Sequence, residues 1–243
     1  MAKKIFILHS TLFSLLFLFG AYGQQNDPRS QKIIDDMTAK MKTYQSVSLN
    51  FSLTITQLQD QSKTEQEGKL LLAPQNPPQA GKFSSGSDKM NYRYKLEIPD
   101  YVIYFDGSKI YQYMPEFNEV NIFKPDIDEN DEDFQLLNPQ TYFNLSSKSF
   151  KSNLVNESTL NNRHVYEIDL YPIQLKTTNY SRIRMMVEKT TLQLVYLKAF
   201  MKDGTHYTLS FKPYGILQTA LRESFFTFNK SEHPNVEVID LSF

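Results

Sequence analysis

Cysteine and tryptophan are absent from this chain of 243 residues, and glycine occurs only eight times. Without cysteine, the chain forms no disulfide and no thiolate metal site, so its fold depends on the hydrophobic core. The glycine-rich loops that bind phosphate groups are missing. So is the Gly-x-Ser-x-Gly motif around a nucleophilic serine. These absences argue against the common nucleotide-dependent enzymes and serine hydrolases.

Histidine is also scarce, and its positions do not suggest a catalytic or metal centre. Beyond the N-terminal segment only His164, His206 and His233 occur, and no two of them have the spacing of metal ligands. Carboxylates are plentiful, which leaves open the paired acids of a glycosidase, although no pair stands out. We therefore expect no cofactor, no metal and no enzymatic activity, and a secreted hydrolase remains an alternative.

The segment Asp126–Asp133 is the most acidic in the chain, with six acids in eight residues. A calcium loop of the EF-hand type needs a glycine for its sharp turn, and none occurs here. We interpret this segment as a solvated acidic loop.

The N-terminus has the composition of a secretory signal peptide. Lys3 and Lys4 precede an apolar run from Ile5 to Phe19, and Ala21 and Gly23 are the small residues expected at a cleavage site. The run is short for an uncleaved membrane anchor. We predict cleavage after Gly23, export, and a single domain over residues 24–243.

The exported chain has a slightly acidic charge and an aromatic composition. Two of its 26 basic residues lie in the predicted signal peptide and none of its 27 acids does, so the remainder has 24 basic residues and a formal charge of −3. A nucleic-acid binder would have a basic face, so we expect no nucleic-acid partner. The 15 tyrosines and 18 phenylalanines suit β-strands and an apolar binding surface.

Hydrophobic periodicity predicts one helix followed by many strands. Apolar residues recur at helical spacing over Pro28–Tyr44, with Asp27 as a suitable N-cap. From Val47 to Ile55 the period changes to two, as in a strand with one buried face. A polar turn is predicted over Gln57–Glu67 and a mobile loop over Gln75–Asp88. Further strands are predicted at 68–73, 90–96, 150–155, 164–170, 183–187, 192–201, 205–211, 225–228 and 236–239.

An aromatic meander from Pro99 to Phe123 is the centre of the predicted sheet. Asp106-Gly107 separates its first two strands and predicts a type I′ hairpin turn, and Asp203-Gly204 predicts another hairpin. A second turn is expected near Pro115. We count ten or eleven strands with two or three helical pieces. The fold class is therefore mainly β with a few helices (α+β), as one curved antiparallel sheet.

Several motifs occur in the order and spacing of a known family. They are Ser46–Phe51, the glycine-started strand Gly68–Pro74, Tyr92-Arg93-Tyr94 before Pro99, Asp106-Gly107 before Tyr111 and Tyr113, and Phe226-x-Phe228 before the tail Pro234–Asp240. On these residues the chain resembles the periplasmic outer-membrane lipoprotein carrier family (LolA-like) over nearly all of its exported length. The family often has an arginine where this chain has Ala73, which implies a difference in how its lid is controlled.

The resemblance implies an unclosed antiparallel half-barrel with helices covering a hydrophobic concave face. It implies a monomeric carrier that takes acylated lipoproteins from an inner-membrane lipoprotein-releasing transporter towards the outer membrane, and it leaves open whether an outer-membrane receptor takes part. The alternative within the same fold is an envelope sensor or interaction module that binds a lipid or protein without carrying cargo.

The alternation of apolar residues also yields candidate site residues. We expect the acyl chains to contact inward-facing side chains, and the helical segment after the acidic loop to act as a lid. The predicted cavity residues are Leu49, Phe51, Leu53, Leu70, Leu72, Tyr92, Tyr94, Ile103, Tyr111 and Tyr113, and the predicted lid residues are Leu136, Leu137 and Phe143.

Overall fold

The computed structural model describes residues 26–75, 92–124, 143, 149–176, 178–217 and 219–242. Several predictions lie outside these residues. They are the signal peptide, the predicted loop beyond Gln75, the acidic loop Asp126–Asp133, and Leu136 and Leu137 of the predicted lid.

One α-helix, α1 (Pro28–Met41), opens the described chain, close to the predicted bounds. Asp27 is its N-cap and accepts a hydrogen bond from the backbone N–H of Arg29, while Pro28 occupies the first turn, where no N–H is needed. The buried residues Ile33, Ile34, Met37 and Met41 follow helical spacing and form one apolar stripe.

Among the described residues, thirteen strands form one sheet, whereas ten or eleven are predicted from the sequence. Three of them have only three or four residues, too few for an alternation pattern. The strands are β1 (Ser46–Gln57), β2 (Lys63–Pro74), β3 (Tyr92–Glu97), β4 (Val102–Phe105), β5 (Ile110–Met114), β6 (Glu119–Phe123), β7 (Phe150–Leu160), β8 (Arg163–Pro172), β9 (Tyr180–Glu188), β10 (Leu194–Met201), β11 (Thr205–Phe211), β12 (Gly215–Leu217) and β13 (Glu237–Asp240).

The sheet is curved and is not closed into a barrel. Its strand order is β13-β6-β5-β4-β3-β2-β1-β11-β10-β9-β8-β7, and β12 pairs with the start of β1. Neighbours are antiparallel except for β13, which runs parallel to β6. The predicted mainly β half-barrel is confirmed, with this one parallel pair as a correction.

Two predicted segments differ from the structure near the ends of elements. The polar turn predicted over Gln57–Glu67 is shorter, because β2 begins at Lys63 and remains largely exposed up to Glu67. Phe225–Phe228 is not a strand. Residues Glu223–Phe226 form a 3-10 helix, which buries Phe226 and leaves Phe225 exposed.

The hairpin at Asp106-Gly107 forms, but not through a type I′ turn. The loop has four residues, and only Gly107 has a positive φ, at 104°. The Asp106 carboxylate accepts hydrogen bonds from the backbone N–H groups of Ser108 and Lys109, which stabilises the wider turn. Positive φ at both central residues occurs instead at Asn161 and Asn162, in the two-residue turn between β7 and β8.

Candidate functional site: the inner face of the sheet

The register of β1 to β4 places most of the predicted cavity residues on one face. Leu49 pairs with Leu70, and Leu72 pairs with both Val47 and Tyr94. Leu96 in turn pairs with Ile103. Paired residues of antiparallel strands lie on the same side of a sheet. We call this side the inner face.

The predicted residues of the inner face are all buried. None of Leu49, Phe51, Leu53, Leu70, Leu72, Tyr92, Tyr94 and Ile103 is more than 4% exposed. Burial also raises the pKa of the Tyr92 and Tyr94 phenols, because the charged form loses its hydration. Both tyrosines are therefore neutral at physiological pH and contribute mainly apolar surface.

The inner face continues onto the second half of the sheet, which the residues predicted from sequence did not include. Phe51 pairs with Phe211 across β1 and β11, with ring centroids 6.3 Å apart, and Leu53 pairs with Leu209. The surface then extends through Leu197, Ile183, Met185, Ile168 and Leu170 on β10, β9 and β8. Alternation in these strands is visible in the sequence, but the sequence does not show which of the two alternating sets of side chains faces inward.

Gly68 creates space for the largest side chain in the centre of the inner face. It pairs with Phe51, and a Cβ at Gly68 would lie 2.3 Å from the Phe51 ring. The ring therefore lies directly over the glycine backbone. This contact explains in physical terms why the second strand has a glycine at this position.

Helix α1 covers the inner face. Its stripe of Ile33, Ile34, Met37 and Met41 belongs to the same contiguous core cluster as the strand residues. Phe143, the one lid residue that the structure describes, is fully buried in this cluster, and its ring makes an edge contact with Tyr214 at 6.5 Å.

Polar contacts fasten the N-terminal end of α1 to β7. The Asp27 carboxylate accepts from the backbone N–H of Leu154, and the hydroxyl of Ser30 donates to that of Ser152 at 2.8 Å. Arg29 forms an ion pair with Glu157. We call these contacts the latch. They are polar, unlike the apolar contacts along the rest of the helix.

Both latch carboxylates are held in the ionised form. Slight burial raises the pKa of Asp27, but hydrogen bonds from the backbone of Arg29, Leu154 and Ser30 outweigh this effect and lower it below 3.8. Hydrogen bonds from Lys189 and Arg29 lower the pKa of Glu157 below 4.5. The latch is therefore fully charged at neutral pH.

Tyr111 and Tyr113 do not lie on the inner face, so their predicted placement is wrong. Ile103 pairs with Gln112, and the two tyrosines on either side of Gln112 point to the opposite, outer face. There the ring of Tyr113 contacts Phe228 at 5.3 Å and His233 at 4.3 Å. The chain after β12 thus packs on the outside of β4 and β5.

Ala73, where the family often has arginine, is buried and pairs with Arg93. Arg93 donates to the backbone carbonyl of Asp106 and forms an ion pair with Glu223. An arginine therefore lies beside Ala73, but it is on β3 and pairs with Glu223 in the segment after β12.

Neither a metal site nor a membrane-spanning helix is found among the described residues. Among these residues no group of three or more His, Asp or Glu side chains could hold a metal ion. No helix within the described ranges is long and apolar enough to cross a membrane. The inner face forms one contiguous buried cluster with α1, and its chemistry is apolar.

No family model matches the chain, and no curated protein matches it. Similar solved structures include a DUF1329 family protein from Desulfovibrio piger, with 12% identity and a TM-score of 0.49 over 86% of this chain and 99% of that one. A domain named as a putative outer membrane lipoprotein-sorting protein, from Vibrio parahaemolyticus, has 11% identity and a TM-score of 0.44 over 84% and 97%. A LolA superfamily protein from Nitrosomonas europaea has 12% identity and a TM-score of 0.39 over 82% and 97%.

All three TM-scores are below 0.5 and the identity is at most 12%, so these likenesses assign neither a family nor a function to this chain.

Proposed function

We propose that this protein is an exported, periplasmic carrier that binds the acyl chains of lipoproteins on its inner face and transfers them from the inner to the outer membrane. The observation that supports this proposal is the continuous apolar inner face, which runs from β4 across β1 to β8 beneath the amphipathic helix α1.

The free energy of exposing acyl chains to water explains why a carrier must shield them, and the limit on affinity explains why their binding must be reversible. Each CH₂ group contributes ~0.8 kcal/mol when it leaves water, so three chains of about 16 carbons carry roughly 35–40 kcal/mol. Non-covalent affinities saturate near roughly 20 kcal/mol. A carrier should therefore cover the chains incompletely and release them readily. Methionine and tyrosine among the aliphatic residues give a surface that can adapt to different chains.

Access to the inner face requires α1 to move. The C-terminal end of α1 is joined to β1 by only four residues, 42–45, so this end stays close to the sheet. The N-terminal end is held by the latch, whose polar contacts can exchange with water. We propose that the latch opens, that α1 swings about its C-terminal end, and that acyl chains replace Ile33, Met37 and Phe143 on the inner face.

The remaining parts of the proposal concern partners. A carrier of this kind receives its cargo from an inner-membrane lipoprotein-releasing transporter and acts as a monomer without catalysis. The inner face does not determine whether an outer-membrane receptor takes the cargo.

A second candidate is an envelope sensor or interaction module. It is favoured by the closed state of the inner face, where Leu49, Leu70 and Tyr94 are at most 1% exposed. A module that recognises its partner through the outer surface would never open this face. The two candidates differ in whether an acylated ligand displaces α1.

Native mass spectrometry of the exported protein with a triacylated lipopeptide tests the proposal. The same peptide without acyl chains is the control. A one-to-one complex with the acylated form alone is expected. A folded sample that binds neither peptide contradicts the carrier function and favours the interaction module.

Two adjacent residues on β4 provide matched variants for locating the site. Ile103 faces inward, while Val102 faces outward and pairs with Glu97. We expect Ile103→Lys to reduce lipopeptide binding at least about tenfold, because an ammonium group on the inner face must be desolvated by acyl chains. Val102→Lys should bind normally. Circular dichroism of both variants checks that the fold is retained.

A further inference from the structure

We infer that a cleft on the outer face of the sheet binds an uncharged oligosaccharide. The cleft lies between the outer side of β3 and β4 and residues 224–232 of the C-terminal segment, and its volume is about 630 Å³. This volume is within the range of small-molecule binding sites. We call it the outer cleft. It is separate from the proposed acyl site, because the two lie on opposite sides of the sheet.

Two parts of the chain form the walls of the outer cleft, and contacts between them fix its shape. Lys95 of β3 and Tyr104 of β4 are cross-strand partners and form one wall. Phe228 of the other wall contacts the Tyr104 ring edge-on at 6.0 Å. An ion pair between Arg93 and Glu223, at 2.6 Å, holds the same segment against β3. The outer cleft is therefore preformed, which lowers the cost of binding a ligand.

Phe225 offers an aromatic surface to a ligand in the outer cleft. The two other rings of the lining are already engaged. The Lys95 ammonium lies 5.1 Å from the centroid of the Tyr104 ring, and His233 stacks on Phe228 at 4.7 Å. Phe225 is 49% exposed. The faces of a sugar ring carry C–H groups that pack well on an aromatic ring, so Phe225 is the stacking surface.

Polar groups of the outer cleft supply hydrogen-bond donors and acceptors side by side. The Asn229 amide donates to Oε1 of Glu232 at 2.8 Å, which leaves its second hydrogen as a donor and Oε2 as an acceptor. The Thr227 hydroxyl donates to the carbonyl of Glu223, so its oxygen can accept. The hydroxyl of Ser224 can do both. Each sugar hydroxyl also donates and accepts, so a row of them matches this lining.

The charges of the outer cleft favour an uncharged ligand. Its described lining has one ammonium group, that of Lys95, and one carboxylate, that of Glu232. Glu97 already pairs with the Lys95 ammonium at 2.5 Å, so an anion would have to compete with this carboxylate. A cation would have to approach the same ammonium, which occupies the face of the Tyr104 ring.

Strand positions favour a sugar over an extended peptide. Such peptides commonly bind by adding a strand to a sheet edge, where main-chain groups are unpaired. Strands β3 and β4 each have hydrogen-bonded neighbours on both sides. Only their side chains are therefore available at the outer cleft, and these carry the hydroxyl, ammonium and ring groups described above.

Ligand-observed NMR titration of the exported protein tests this inference. The probes are maltotetraose, cellotetraose and tetra-N-acetylchitotetraose, which are uncharged and differ in linkage and substituents. We expect saturable binding of at least one of them. A mixture of soluble hexapeptides is the comparison, and we expect no binding of these peptides.

Variants of the lining locate the site. Phe225→Ala should weaken sugar binding at least about fivefold, because the stacking surface is lost, whereas Phe225→Tyr keeps the ring and should bind like the wild type. Glu232→Ala should weaken binding about threefold to tenfold through the lost hydrogen bond. Phe117→Ala is the matched control, since Phe117 is 69% exposed and lies outside the lining.

Sugar binding is independent of the proposed acyl binding. The inner-face variant Ile103→Lys should bind the sugar normally, so failure of one proposal leaves the other testable. Circular dichroism checks that each variant is folded. The inference is overturned if none of the three sugars binds the folded wild type, if the hexapeptides bind as tightly as the sugars, or if Phe225→Ala binds as well as the wild type.

Discussion

The rings of Tyr113 and His233 lie 4.3 Å apart on the outer face of the sheet, and Phe228 stacks against the same histidine at 4.7 Å. This contact joins the meander to the segment that follows the last hairpin. Tyr104 completes the group through an edge contact with Phe228 at 6.0 Å. We call these four residues the outer cluster. It secures the C-terminal segment and lies on the other side of the sheet from the proposed acyl site.

Truncation of Tyr113 should therefore affect stability and leave binding intact. We expect Tyr113→Ala to lower the free energy of unfolding by about 2 kcal/mol, because a partly buried ring loses its two aromatic neighbours. Urea denaturation measures the change. Phe117→Ala is the control, since Phe117 is 69% exposed in the next turn and its loss should cost less than about 0.5 kcal/mol.

Lipopeptide binding by the same variant shows whether the outer face takes part in acyl binding, and we expect it to be unchanged. If Tyr113→Ala abolished binding while the variant remained folded, the assignment of acyl binding to the inner face would be wrong.

Substitution of Gly68 tests the packing at the centre of the inner face. We expect Gly68→Val to cost about 1–3 kcal/mol, because its side chain would occupy the position of the Phe51 ring and force it from its rotamer. Thermal unfolding by circular dichroism measures the loss. Gly215→Ala is the control, because the nearest atom to its new Cβ would be 3.4 Å away. Equal stability of the two variants would contradict the observed packing of Phe51.

The latch should weaken in acid. The folded-state pKa of Asp27 is below its ordinary value of 3.8, so its contribution to stability is fully present above pH 3.8 and is lost as the pH falls through the lowered pKa. Asp27→Asn keeps one side-chain oxygen for the N-cap, but it lacks the charge and the second oxygen, which accepts from the backbone N–H of Leu154. We expect the wild type to melt about 1–3 °C higher than this variant at pH 7, and the difference to close towards about pH 2.

Glu157 should behave in the same way, because its pKa is also lowered in the folded state. A difference between the wild type and Asp27→Asn that stayed constant between neutral and strongly acidic pH would show that the Asp27 charge does not stabilise the latch.

Processing of the N-terminus is a separate prediction. We expect the exported protein to begin at Gln24, since Ala21 and Gly23 provide small residues at the cleavage positions. The intact mass of protein recovered from the periplasm of an expression host gives the answer directly. A mass that includes residues 1–23 would contradict a cleaved signal peptide.

Much of the fold could be predicted because its signals are local. The alternation from Val47 to Ile55 and the spacing of Ile33, Met37 and Met41 each depend on one segment, and the structure confirms both elements. Turn geometry was less predictable. At Asp106 the side chain caps the backbone and selects a wider loop, an interaction that the Asp-Gly pair alone does not reveal.

The two faces of the meander could not be distinguished in the sequence. In β4 the side chains on both faces are apolar or aromatic, with Ile103 and Phe105 on one face and Val102 and Tyr104 on the other. In β5 the inward position opposite Ile103 is Gln112, while the aromatic residues point outward. Only pairing with β3 and burial by the distant C-terminal segment decide the face, and both are tertiary effects.

The most direct test of the central claim is to lock the latch. The chain has no cysteine, so Ser30→Cys/Ser152→Cys introduces a single pair where two hydroxyl oxygens are now 2.8 Å apart. Native mass spectrometry then compares binding of the triacylated lipopeptide by the oxidised and reduced forms. If acyl chains bind beneath α1, the reduced form binds and the oxidised form does not. Equal binding by both forms would contradict an acyl site beneath α1.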